Sequence, residues 1–252
     1  MAALLNLLYC ELLKLKRSKI LLISFLGALV APTLMFVQGV KTHYSEPEFV
    51  ISMEHFYENS TLYSMLMFGL IVYVVIGAYL FSREYTENTL KTIITVPVSK
   101  LSFITGKFIV FFILVIVLSI ISWISIYGLS AIFKAMFGLE GFSIAIATKY
   151  FGRAIIGGMI MFVTMSPFAF LSLWTKGFVV PVISAASVAM VNVMLSNSDL
   201  GALFPWTASY LLISDGLTQT GYPYSLAISL IAVVSVFGFV VSVVYFQRED
   251  VK

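Results

Sequence analysis

The sequence predicts an all-α polytopic membrane protein, and three observations carry that prediction. Of its 252 residues, 60% are hydrophobic and only 11% are charged, against roughly 25% charged in a soluble domain. Six apolar runs meet or approach the roughly 20 residues a helix needs to cross a hydrocarbon core roughly 30 Å thick. These runs are Ile20 to Val40, Leu62 to Phe81, Phe108 to Phe133, Ala154 to Trp174, Phe178 to Leu195 and Tyr224 to Phe246. They are continuous, whereas barrel strands would alternate, so six transmembrane helices are expected.

Residues Met1 to Ser18 precede the first span as an amphipathic helix. Leu4, Leu5, Leu8, Leu12 and Leu15 fall on one face, with Asn6, Lys14 and Arg17 on another. Such a helix is expected to lie in the headgroup layer, its basic residues toward anionic lipid. The apolar run behind it is too long for a signal peptide and has no small-x-small cleavage pattern, so an uncleaved anchor is expected. Cys10 is the single cysteine, which excludes an intrachain disulfide.

The segment Lys41 to Thr61 holds His43, Glu46, Glu48, Glu54, His55 and Glu58 and reads as a solvated acidic loop. A metal centre would need three or four converging ligands, and no ligand spacing of a known site is met, so no metal and no other cofactor is expected. In the third span, the Trp123 indole N–H needs a partner and should face another helix. Pro167 is expected to kink the fourth span. The methionines Met159, Met161 and Met165 there suit either packing or an adaptable apolar surface. Only Thr175, Lys176 and Gly177 separate spans four and five, which predicts a tight antiparallel pair. Ser184, Ala185, Ala186, Ser187 and Ala189 offer small residues for close helix approach, within one chain or between two copies. Residues 196–223 are too apolar for a free loop and too interrupted by Gly201 and Pro205 to span, which predicts an external re-entrant pair of short helices.

Basic residues set orientation. With both termini inside, the cytoplasmic side holds eleven of the fifteen lysines and arginines, and the outside holds Lys41, Lys134, Lys149 and Arg153. Residues 134–153 fit this orientation least well, with three basic residues in one external loop.

The one sizeable polar stretch on the inner side is FSREYTENTLKTIITVPVSKLSFITGK, from Phe81 to Lys107. Leu90, Ile93 and Ile94 share one side of a 3.6-residue repeat and predict a small helix. Pro97 disfavours the α conformation at Val96 and ends it, and Ser99 can cap a helix running into the next span. An ordinary solvated loop is the competing reading; the other is a surface where a soluble partner takes hold.

What the chain lacks narrows its class. None of the six apolar runs contains Asp, Glu, Lys, Arg or His, the residues that mark ion and proton pathways. Gly106-Lys107 is followed by Phe108, not the Ser or Thr of a phosphate-binding loop, so the chain is not expected to bind ATP. G-x-S-x-G and H-E-x-x-H are absent, so no catalytic residues and no enzyme activity are expected, and nothing points to nucleic acid. Work done by this chain must draw energy from a partner.

The N-terminal CELLKLKRSK, the stretch FSREYTENTLKTIITVPVSKLSFITGK and the LFPWT run before the last span together resemble the permease subunits of ABC type-2 exporters. Size and the KLKRSK start resemble the bacitracin- and lantibiotic-immunity permeases among them. One position departs: Asn88 stands where the family has Gly before the Thr-Leu pair, and Asn also tolerates unusual backbone angles. The resemblance implies a single transmembrane domain over residues 1–252, in a bacterial cell membrane. It implies a cytoplasmic ATPase docked on the loop 82–107, a second permease, identical or a sister, and efflux of an amphipathic peptide or lipophilic substrate. Carried over residue by residue, the coupling contact involves Arg83, Glu84, Glu87, Thr89, Leu90, Lys91 and Pro97, and the connecting helix involves Glu11, Lys14, Lys16 and Arg17. A membrane scaffold or sensor subunit that transports nothing is the alternative.

Overall fold

Serine caps and imposed breaks divide the apolar sequence into eleven α-helices among the described residues, 2–46, 48–89 and 99–249 of a computed structural model. They are α1 (Ala2–Lys16), α2 (Ile20–Ala28), α3 (Val30–Ser45), α4 (Met53–Leu66), α5 (Phe68–Thr86), α6 (Lys100–Phe137), α7 (Ile144–Thr164), α8 (Ser166–Thr175), α9 (Val179–Leu195), α10 (Pro205–Ile213) and α11 (Tyr224–Arg248). Two 3-10 turns, Asp199–Leu203 and Gly216–Gln219, flank α10. No strand occurs among the described residues, apart from an isolated bridge between Ser52 and Glu140.

The side chains of Ser52, Ser99 and Ser143 accept the backbone N–H three residues on, from His55, Ser102 and Ile146. Each thereby satisfies a donor that the first turn leaves free. The cap at Ser99 is the one the sequence predicts. The small helix expected from Leu90, Ile93 and Ile94, and its end at Pro97, lie outside the described residues.

Five helical stretches are long and apolar enough to cross a membrane: Ile20–Ser45, Phe68–Thr86, Lys100–Phe137, Ile144–Thr175 and Tyr224–Arg248. The fifth expected run forms α9, whose 17 residues reach about 26 Å. By contrast, the 38 residues of α6 extend about 57 Å, well past a bilayer core at one or both ends.

The breaks are accounted for atom by atom. Between α4 and α5 the chain turns at Met67, φ −133° and ψ −84°. A Cβ on Gly69 would sit 2.2 Å from the Ser64 carbonyl oxygen, so only glycine fits this turn. Asn192 of α9, fully buried, donates to the Leu66 carbonyl at the break (3.1 Å) and accepts from Thr207 of α10 (2.9 Å). The kink expected at Pro167 separates α7 from α8. A proline has no N–H for the Val163 carbonyl; the Ser166 hydroxyl lies 2.9 Å from it and equally 2.9 Å from the Ser235 carbonyl of α11. The Trp206 indole donates to the nearby Thr164 carbonyl. A Cβ on Gly238 would lie 2.5 Å from the Pro167 nitrogen, so α11 abuts the kink because residue 238 has no side chain.

The core centres on α5, which packs against α2, α4, α6, α8 and α9. Ala185 and Ala189 are buried within the chain, so these small residues of α9 serve intrachain packing. Trp123 of α6 donates to the Ala147 carbonyl of α7, the interhelical bond its depth calls for.

Two expectations change. Residues 41–45 and 53–61 are helical, not a solvated loop: α3 runs on to Ser45, and α4 buries Met53, Phe56, Tyr57 and Ser60 at helical spacing, with Glu54 and Glu58 off that buried stripe. The acidic residues masked this amphipathic pattern. Residues 82–86 and 100–107 of the expected polar loop are likewise helical, ending α5 and beginning α6. Glu84 and Lys107 pair inside the bundle and need no loop to reach water, while Arg83 pairs with Glu87 at the tip and Lys100 donates to the Gln247 and Glu249 carbonyls. The three basic residues that strained the orientation count also have local partners: Lys149 pairs with Glu54 (3.2 Å), Arg153 with Asp215 (2.7 Å), and Lys134 lies over the Phe142 ring.

Candidate functional site

The ends of α1, α5, α6 and α11 meet at one end of the bundle, and two ionic clusters hold them there. Lys107, 1% exposed, stands in the second turn of α6 within the buried stripe Phe103, Lys107, Val110, Phe111 and Leu114. Its ammonium donates to Glu84 of α5 (2.6 Å), to Glu11 of α1 (3.5 Å) and to the Leu80 carbonyl. Three donors meet three acceptors, which is what a buried ammonium requires. Glu11 and Glu84 are 3% and 2% exposed, and Lys14 at the rim bonds both, at 2.6 and 3.2 Å. Two carboxylates and two ammoniums balance. Burial alone would lower the Lys14 pKa; the hydrogen bonds and charges of Glu11 and Glu84 outweigh it and hold the group above its ordinary value.

One residue further along α5, Tyr85 donates to the Glu249 carboxylate just beyond α11. Glu249 also pairs with Lys176 (2.7 Å), between α8 and α9, and its hydrogen bond raises the Lys176 pKa. Lys100, opening α6, donates to the Gln247 and Glu249 carbonyls at 3.2 and 2.7 Å. The end of α5 is thus gripped on two sides, by α1 and α6 through Glu84 and by α6, α11 and the α8–α9 turn through Tyr85.

From this clamp the chain leaves α5 through a left-handed C-cap. Asn88 has φ +54°; its N–H bonds the Tyr85 carbonyl, and the Thr89 N–H bonds the Glu84 carbonyl. This is the closing pattern of a Schellman motif, in which Gly is usual and Asn is next best. The Gly-to-Asn departure noted in the sequence is therefore structurally conservative. Asn88→Val should cost about 1–2 kcal/mol and be read as faster proteolysis at residues 83–89, whereas Asn88→Gly should leave cleavage unchanged or slower.

The expected coupling residues do not share one role. Arg83 bonds Glu87 along the helix (2.8 Å) and lies over the Tyr79 ring; Glu87 is exposed at the tip, beside Thr89. Glu84, expected to meet a partner, is turned inward and holds the stem. Leu90, Lys91 and Pro97 lie outside the described residues. Lys16, which ends α1, and Arg17 just beyond it are exposed, while Glu11 and Lys14 belong to the buried cluster. The apolar face of α1 also divides: Leu7, Leu8 and Leu15 pack into the bundle around Glu11, while Leu5 and Leu12 remain exposed. Sequence reasoning missed Lys107 as a structural cation, and with it Tyr85, Lys100, Lys176 and Glu249. Lys107 was detectable: counted from the Ser99 cap, it falls on the apolar stripe of a helix, where a lysine needs an acidic partner.

Among the described residues, no group of three or more His, Cys, Asp or Glu could hold a metal ion. The arrangement positions helix ends and an exposed tip.

The described residues thus form a multi-span, all-helical membrane protein whose helix ends are clamped together beside the exposed end of α5. Residues 7–196 match the family described as ABC-2 family transporter protein, and the chain belongs to that family as a membrane permease of an ABC transporter. Over 205 residues it is 33% identical to the bacitracin transport permease protein BCRB of Bacillus licheniformis, covering 81% of this chain and 96% of that protein.

Proposed function

We propose that this chain is the membrane subunit of an ATP-driven exporter, and that the clamped end faces the cytoplasm and receives a separate ATPase on the turn after α5. On this reading α9 completes six spans, α1 lies in the headgroup layer with Leu5 and Leu12 toward lipid, and the segment around α10 re-enters the outer leaflet. A second permease completes the assembly. The cargo is an amphipathic substrate, with a peptide antibiotic of the bacitracin kind first in line because of the relative's name; resistance to it is the expected consequence.

The observation that carries this reading is the buried Glu11–Lys107–Glu84 cluster. A push on residues 83–89 reaches α1, α5 and α6 together, because all three helices share one ammonium. An unanchored loop would dissipate the same push. The test exchanges charges: Arg83→Glu with Glu87→Lys keeps an ion pair along the helix but reverses the charges offered to a partner. Co-purification with an ATPase encoded beside this chain is expected to fall sharply while the permease remains folded, and unchanged co-purification would contradict docking at this turn. ATP-dependent movement of bacitracin into inside-out vesicles is expected from the complex. A scaffold or sensor subunit would bind the ATPase and move nothing.

A further inference from the structure

At the end of the bundle away from the clamp, a cavity of about 420 Å³ opens between α4, α7, the start of the 196–223 segment and α10, with Glu58, Arg153, Asp199 and Tyr210 in its wall. That volume lies in the roughly 300–1,000 Å³ range of small-molecule sites. A second cavity of about 60 Å³ lies further into the bundle and shares Thr61, Tyr150 and Arg153 with the first as a common wall. Its lining includes Tyr57, Tyr73, Ser119, Trp123, Gly158 and Met161. Tyr73 and Ser119 bond each other at 3.0 Å. Tyr57 is different: it is 3% exposed, its ring stacks on Tyr150, and its hydroxyl has no hydrogen-bond partner among the described residues. A buried hydroxyl is normally paired, so this one marks a place where an occupant can supply the bond.

The charges of the outer cavity select the occupant. Arg153 in its wall is engaged by Asp215 at 2.7 Å. The other charged side chains of its wall are two carboxylates, Glu58, which accepts from the Tyr150 hydroxyl, and Asp199. We infer that the two cavities form one binding site for an amphipathic organic cation, its amine head between Glu58 and Asp199 and its aromatic or aliphatic end reaching Tyr57. This deepens the export reading by naming a substrate class, and rests on that reading only in treating the occupant as cargo.

The probe is dansylcadaverine, a primary amine carrying an aromatic group, with dansylglycine as its anionic counterpart, titrated by fluorescence against the whole purified chain in detergent. Saturable binding of the amine is expected, with the anion clearly weaker. Glu58→Gln with Asp199→Asn should weaken the amine about fivefold and narrow the preference between the probes. Tyr57→Phe keeps the stacked ring and should weaken binding roughly two- to tenfold. Equal binding of the two probes, absence of saturation, or unchanged affinity in both variants would overturn the site and leave the export reading standing. Retained binding with no ATP-driven movement of the amine in vesicles would uphold the site and remove the export reading.

Discussion

Replacing Lys107 by methionine is expected to cost about 3–5 kcal/mol, the penalty for removing one partner from a buried ion pair. Methionine matches the length of the lysine stem, so packing beside the Phe103 ring changes little. The loss is electrostatic: Glu11 and Glu84 remain buried with only the rim ammonium of Lys14 between them. Denaturant unfolding of the purified protein in detergent should show a large fall in midpoint. Adding Glu11→Gln and Glu84→Gln to Lys107→Met should recover much of it, because the orphaned charges disappear with the cation. A single Lys107→Met change that left the midpoint unmoved would mean that water reaches the cluster.

The second large effect is expected at Asn192. Asn192→Leu approximates the side-chain volume but removes both a donor and an acceptor, leaving the Leu66 carbonyl at the α4–α5 break and the Thr207 hydroxyl without these partners. Each buried polar group left unpaired costs about 1–3 kcal/mol. Unfolding at lower denaturant is expected, with faster proteolysis near Met67 and in residues 196–223, the two regions that Asn192 joins. Asn192→Leu combined with Thr207→Val should be less destabilised than the single change, since one of the orphans is then gone. Equal stability of Asn192→Leu and the parent would show that the break draws its stability from elsewhere.

Much of this architecture was legible in the sequence because its signals are local. The Ser99 cap, the kink at Pro167, the interhelical partner of Trp123 and the left-handed tolerance of Asn88 each follow from one residue's own chemistry. The break at Met67 was not legible, because it sits inside an unbroken apolar run and depends on the approach of Gly69 to the Ser64 carbonyl. The amphipathic character of α4 was hidden by its acidic residues. The clamp was half visible. Glu84 and Lys107 stood toward the two ends of one polar stretch, Glu84 expected to meet a partner and Lys107 counted among the cytoplasmic charges, because charge suggests exposure. Their burial depends on a third helix: Glu11 arrives from a segment more than seventy residues earlier in the chain, and spacing within the stretch carries no trace of it. The same holds for Tyr85 and Glu249, 164 residues apart.

Docking of an ATPase requires that the turn after α5 be reachable from the cytoplasm. Cys10 is the single cysteine, so a Cys10→Ser background carrying Glu87→Cys presents one thiol, at an exposed position. A membrane-impermeant maleimide should label it in inside-out vesicles and leave it untouched in intact cells, with labelling in the vesicles reduced when the ATPase is bound. Labelling of intact cells would put the clamped end outside, beyond the reach of any ATP-driven partner, and would contradict the account.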